Sequence, residues 1–327
     1  MAVYAGALWM FNTYVKNTGP NTSAGSALKP IAPNSGSGLD GPCSLRMCDV
    51  NNLQSWNPIN QAFLDKDDGT EGLGISCMTI AAQGIPPEGS LCAFKKRAIY
   101  QIVGVFGASN FAIQRVQSDM GIIAPRTLQF VPGFGLVRLT YLGIAVFDSV
   151  NDRIISTQIE PYLLGSNDPD NADIVPMDPQ WQSVCQSALT ANPPMYVTAI
   201  PIAPQTAPGS SNGALTRIMC FDLVLKGWGI ADLPFPISTM FGAITYSTLA
   251  QTVMGSYDDG TLVQWQAGAT IWHNGSKISW SLRSPTTASK SASERLYLRR
   301  LAVLGQQGLE LAPEEQVDST EQNRGHP

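Results

Sequence analysis

Charge is scarce in this chain: only 14% of its 327 residues are Asp, Glu, Lys or Arg, and the formal net charge is -5. That composition leaves no basic field with which to hold nucleic acid by counterion release. Histidine is scarcer still, with only His273 and His326 present. A Ser-His-Asp or Cys-His arrangement would have to centre on His273, whose setting Ile271-Trp272-His273-Asn274-Gly275 reads as a strand entering an Asn-Gly turn. No apolar run reaches the length of a membrane span. The stretch Met1-Ala2-Val3-Tyr4-Ala5 lacks the basic start and apolar core of a signal peptide. Of six cysteines only Cys43 and Cys48 are close, and no second pair or two histidines stand by to complete a zinc site. Cys77, Cys92, Cys185 and Cys220 are spread widely, which reads as reduced thiols in a protein made in a cytoplasm.

Sustained helical periodicity is also missing. Thirty glycines and 23 prolines punctuate the chain too often for long helices. One short helix is expected over residues 178–191, with an Asp178 cap, Pro179 at the first position, and Trp181, Val184, Cys185, Ala188 and Leu189 on one face.

A recurring strand-turn-strand phrase is what the chain does have. It begins at Ala7-Leu8-Trp9-Met10 and returns over residues 91–103, with a basic turn at Lys95-Lys96-Arg97, and over residues 136–148, with Gly143 near the turn. It returns again over residues 215–228, cornering at Lys226-Gly227, and over residues 253–265, turning at Asp259-Gly260. Repeated units of this kind hide their apolar faces only against their neighbours, as in radial or stacked all-β architectures. The expected fold is an all-β propeller of six blades, with five or seven as the alternatives, over residues 1–304. Long loop insertions are expected at 17–41, 165–179 and 203–213. Residues 305–327 form an acidic, extended C-terminal arm containing Glu310, Glu314, Glu315, Asp318 and Glu321, expected to be held by a neighbouring subunit or partner.

The remaining charged groups read as structural. Lys95-Lys96-Arg97 and Arg299-Arg300 lie in or beside strand signals and read as solvated turns or ion-pairing faces. Asp67-Asp68 and Asp258-Asp259 each precede a glycine, as hairpin turns do. The run from Asp168 to Asp173 lacks the glycine and closing glutamate of a calcium loop. No catalytic, metal or cofactor-binding residue is expected. The subunit or partner contacts are expected at Arg299, Arg300, Glu310, Glu314 and Glu315.

Several phrases, taken in order, resemble a known family. Residues 45–58 (Leu45-Arg46-Met47-Cys48-Asp49 through Ser55-Trp56-Asn57-Pro58) resemble an early Arg, Asp and Trp-Asn-Pro phrase of β-propeller tail hub and nozzle proteins of short-tailed bacteriophages. Residues 67–73, 91–100, 278–284 and 295–301 are similar to later segments of the same pattern. The most distinctive match is Phe111 to Thr127, with Val116, Gly121, Ala124 and Pro125 in register. The resemblance covers most of residues 1–304 and implies a propeller in a hub, nozzle or head-to-tail connector. The family's subunits form a ring, expected here to be a hexamer, that conducts or retains packaged double-stranded DNA without binding it specifically. The implied partners are the portal or adaptor and other tail proteins, and the location is the virion tail or neck after synthesis in the host cytoplasm. A receptor-binding or capsid-decoration propeller would share the same strands. A carbohydrate-active propeller enzyme would need two convergent carboxylates in unlike environments.

Overall fold

Short apolar runs alternate with turn residues, and each run pairs with the one that follows it in the chain. The computed structural model describes residues 1–12, 43–57, 59–65, 70–78, 89–167, 171, 173–191, 194–202, 214–244, 251–257 and 262–264, all within the compact unit Met1–Ile278. The architecture is all-β, built of four antiparallel sheets. The first holds β1 (Ala2–Tyr4), β2 (Ala7–Phe11), β3 (Ser44–Met47) and β4 (Gln61–Phe63). The second holds β5 (Gly72–Met78), β6 (Ser90–Lys95), β7 (Ile99–Val103) and β8 (Ala112–Arg115). The third holds β9 (Gln129–Val131), β10 (Gly135–Thr140), β11 (Gly143–Phe147) and β12 (Asp152–Ile154). The fourth runs through β13 (Gln186–Ala191), β14 (Pro194–Ile200), β15 (Leu215–Asp222), β16 (Trp228–Ile244), β17 (Gln251–Tyr257) and β18 (Leu262–Gln264). Every sheet is a meander in chain order. The second, third and fourth begin at equal intervals, at Gly72, Gln129 and Gln186.

The turns follow from local chemistry. Asp148 Oδ1 accepts hydrogen bonds from the N–H groups of Val150 and Asn151 at 3.0 and 2.7 Å. Asp222 Oδ1 accepts from those of Val224 and Leu225 at 2.7 and 2.8 Å. Both are side-chain-closed turns that aspartate makes readily, and both sit in one repeated phrase, Phe147-Asp148-Ser149-Val150 and Phe221-Asp222-Leu223-Val224.

Packing between sheets also proceeds in chain order. One apolar cluster joins Tyr4, Trp9, Leu45 and Met47 of the first sheet to Leu91, Ala93, Tyr100 and Ile102 of the second. A second joins Cys92, Phe94 and Ile99 to Leu136 and Phe147 of the third. A third joins Val137, Leu139, Ile144 and Val146 to Tyr196, Ile200, Met219 and Phe221 of the fourth. Leu91 and Ala93 therefore face one neighbour while Cys92 and Phe94 face the other, as the two-residue period of a strand requires. All residues of β6, β10 and β11 are buried. This explains why β11 and residues 91–94 of β6 read as continuous apolar runs, since an antiparallel sheet with one wet face would alternate. Each fully buried Leu, Ile or Phe here contributes about 1.5 to 3 kcal/mol.

The sheets splay. The first strand of each sheet approaches the first strand of the next, β1 to β5, β5 to β9 and β9 to β13. Among the described residues, β4, β8 and β12 make no comparable approach to one another. The fourth sheet also curls: β16 shifts register between Ile237 and Thr239, and its second half comes against β13. Ala188, Val197, Ala199, Leu215, Ile218, Ile237 and Met240 pack inside the curl.

The helix expected over residues 178–191 is not formed. Asp178 does cap a turn, accepting from Gln180 N at 2.9 Å, but this is a 3₁₀ segment that ends at Val184. Gln186 to Ala191 then pair with β14. The sheet supplies six consecutive cross-strand partners to a segment whose Ser187 and Thr190 favour an extended backbone more than a helix, so tertiary pairing overrides the capping signal. The one α-helix among the described residues is the short α1 (Glu160–Leu164), whose Leu163 joins the third cluster. The expected arm at 305–327 and the boundary at 304 lie outside the described residues.

Candidate functional site

Two surfaces stand out once the sheets are placed. The first is the edge where the sheets converge. Its strands β1, β5, β9 and β13 contain no Asp, Glu, Lys or Arg; their polar groups are hydroxyls and amides such as Ser76, Gln129, Gln186, Ser187 and Thr190. Most of these groups are committed to the fold. Gln129 Nε2 donates to Ser187 O at 2.9 Å, and Ser187 Oγ donates to Thr127 O at 2.9 Å. Gln186 Oε1 accepts from Thr239 Oγ1 and Met240 N at 3.1 and 3.0 Å, while its Nε2 donates to Ser238 O at 2.9 Å. An open cleft of about 440 Å³ lies here, lined by Arg126, Gln129, Gln186, Thr239 and Phe241 among others. Arg126 is exposed and makes no hydrogen bond or ion pair among the described residues. The arrangement offers recognition groups but no nucleophile beside a base.

The second surface is formed by the hairpins that join third and fourth strands. Asp49, Asp148 and Asp222 begin these turns in the first, third and fourth sheets. Large apolar residues follow them into solvent: Leu53 at 62% exposure, Val150 at 74%, Val224 at 69% and Leu225 at 80%. Burial pushes the Asp148 carboxyl upward, but the N–H groups of Asn151 and Val150 outweigh it and hold the group below the ordinary carboxylate range.

The expected contact residues Arg299, Arg300, Glu310, Glu314 and Glu315 lie outside the described residues, as do Asp67, Asp68, Asp258, Asp259 and His273. Among the described residues no group of three or more His, Cys, Asp or Glu is placed to hold a metal ion. None of their helices is long and apolar enough to cross a membrane. All six cysteines are free. Cys43 and Cys48 serve the fold: Cys48 Sγ accepts from Leu8 N at 3.0 Å, and Cys43 Sγ donates to Thr70 O at 3.0 Å.

The basic turn at 95–97 divides in two. Lys96 and Arg97 are exposed, with Arg97 lying 5.0 Å from the centre of the Tyr141 ring. Lys95 is fully buried and donates to Leu64 O and Asp65 O at 3.2 and 2.9 Å. The reading of this residue as part of a solvated turn is corrected on that geometry. A further buried charge had no signal of its own in the sequence: Arg138, in the middle of β10, pairs with Asp152 at 2.7 Å.

Burial also raises several neutral acids. Cys92, Cys185 and Tyr196 are pushed up to about 12 from ordinary values of 9.0, 9.0 and 10.0, in each case mainly by loss of water. A raised folded value stabilises fully below the unfolded value and is lost as pH climbs toward the folded one. The protein should therefore hold constant stability up to about pH 9 through these groups and lose it between there and about pH 12. Urea midpoints measured across that window test this, and a flat profile would contradict it.

No protein-family model matches the chain, and no curated protein matches it.

Proposed function

We propose that this chain is a structural protein of a bacteriophage tail or neck. In this reading it is a β-propeller hub, nozzle or connector subunit, six-bladed on the sequence count, with five or seven blades as the alternatives. Copies assemble as a ring, a hexamer, around the DNA exit path and help retain and eject the genome while docked to the portal or adaptor and other tail proteins. The protein has no active site in this role.

The observation that carries the reading is the splayed, chain-ordered stack of sheets. Among the described residues first strands converge, fourth strands make no comparable approach, and consecutive sheets bury apolar faces on each other, as blades arranged about an axis do. The most distinctive phrase of the family resemblance also has a structural job. Residues 116–127 carry the chain from the second sheet to the third: Ile122 N donates to Lys95 O at 2.9 Å and Ile123 N to Leu139 O at 3.0 Å. Thr127 Oγ1 accepts from Leu139 N at 2.9 Å. The phrase is a link between consecutive sheets, so its presence supports a shared architecture. The uncharged converging strands and the overall acidity are compatible with a passage that lets a duplex slide, because the strands themselves give phosphate no cation to trap it, with Arg126 in the adjoining cleft the exposed exception.

Light scattering on the purified chain, alone and mixed with particles lacking it, tests the proposal. A ring, or a monomer that assembles only on those particles, is expected. A monomer that ignores particles and binds cells or glycans would replace this reading with the receptor-binding one.

A further inference from the structure

The buried end of β6 brings an amine and a thiol together. Lys95 is 0% and Cys43 3% exposed, and Lys95 Nζ lies 3.5 Å from Cys43 Sγ. Each atom is held by a separate part of the chain. Lys95 Nζ is fixed on Leu64 O and Asp65 O, while Cys43 stands one residue before β3 with its thiol on Thr70 O. Cys43 O also accepts from Leu64 N at 3.1 Å, so the segments that flank the two groups are tied to each other. Neither side chain has to swing to reach the other, and the pair is shut away from competing thiols in solvent.

We propose that Cys43 and Lys95 form a covalent N–O–S bridge when the protein meets peroxide, a redox modification that staples the first sheet to the second. The Cys43 thiol sulfur attacks peroxide: an S–O bond forms, the O–O bond breaks, the departing hydroxide takes the thiol proton to leave as water, and a sulfenic acid remains. A second peroxide exchanges with the S–OH group, releasing water and leaving S–O–OH. The Lys95 amine nitrogen then attacks the sulfur-bound oxygen through its lone pair. The N–O bond forms, the remaining O–O bond breaks, and hydroxide leaves and takes a proton from nitrogen. The sum is one amine, one thiol and two peroxides giving one N–O–S bridge and three waters, with both peroxides reduced and nitrogen and sulfur oxidised.

The test is peptide mapping by mass spectrometry after treating the intact, folded protein with hydrogen peroxide. A cross-linked pair of peptides is expected, joined at Cys43 and Lys95 by fragment ions and heavier than their sum by about 14 Da, one oxygen gained and two hydrogens lost. Dithiothreitol should return both peptides unmodified. Cys43→Ser and Lys95→Arg should each abolish the pair. Because the wild-type fragment ions locate the bridge directly, a variant that fails to fold does not weaken the test. Peroxide leaving Cys43 unchanged, or converting it only to sulfenic, sulfinic or sulfonic acid, would overturn the proposal.

Discussion

Replacing Asp152 by alanine is expected to destabilise the protein by about 3 to 5 kcal/mol, enough to unfold a domain of ordinary stability or nearly so. The reason is the burial of its partner. The side chains of Arg138 and Asp152 are 0% and 4% exposed and meet at 2.7 Å. Arg138 also donates to Gly121 O at 2.9 Å and Met120 O at 2.5 Å, and its guanidinium lies 5.1 Å from the centre of the Phe94 ring. Burial already pulls the guanidinium below its ordinary value, and Asp152 is the largest influence holding it up. Without the carboxylate a cation is left in an apolar layer between the second and third sheets. Urea unfolding followed by tryptophan fluorescence would read the loss, and a change under about 1 kcal/mol would show that the pair is dispensable. The double variant Arg138→Met with Asp152→Leu should recover most of the stability, since exchanging a whole buried ion pair for apolar side chains is often neutral or better.

Gly121→Ala is expected to cost about 3 kcal/mol, the top of the usual range for overpacking, because the obstacle is backbone and cannot rotate away. A Cβ at this position would stand 1.8 Å from Lys95 O and 2.6 Å from Lys96 C. The link between sheets would have to lift off the β6–β7 hairpin, stretching the hydrogen bond from Ile122 N to Lys95 O. Amide hydrogen exchange at Ile122 should accelerate together with the drop in urea midpoint. Unchanged exchange and an unchanged midpoint would mean that the link lies further from the hairpin. Gly107 and Gly133 have open space around the same Cβ position but positive φ, so alanine there tests strain without crowding and serves as the contrast.

Much of the fold was legible because its signals are local. The hairpins β6–β7, β10–β11 and β15–β16 fall on the phrases read from the residues, with their turns at Lys96-Arg97, Tyr141-Leu142 and Lys226-Gly227. Lys226 adopts a φ of 58, the left-handed conformation such a corner needs. Misreadings occurred where a distant partner decides. Residues 186–191 become a strand only because β14 is there to pair with them. Lys95 and Arg138 look like ordinary strand charges until Leu64, Asp65 and Asp152 are brought to them from 31, 30 and 14 residues away. The candidate surfaces were less legible still. The uncharged strands of the converging edge stand apart in the sequence, and the likeness of the turns that expose Val150 and Val224 rests on Asp148 and Asp222 closing them in the same way.

The order of packing has a bearing on synthesis. Among the described residues the cluster around Trp9 draws only on residues up to Ile113, so a nascent chain can bring these together once the second sheet has cleared the ribosome, before any residue of the third is made. The next cluster needs only the strands that follow immediately. A chain assembled this way keeps each newly made apolar face exposed for no longer than one sheet takes to translate, which limits the window in which neighbouring nascent chains on the same message can stick to one another.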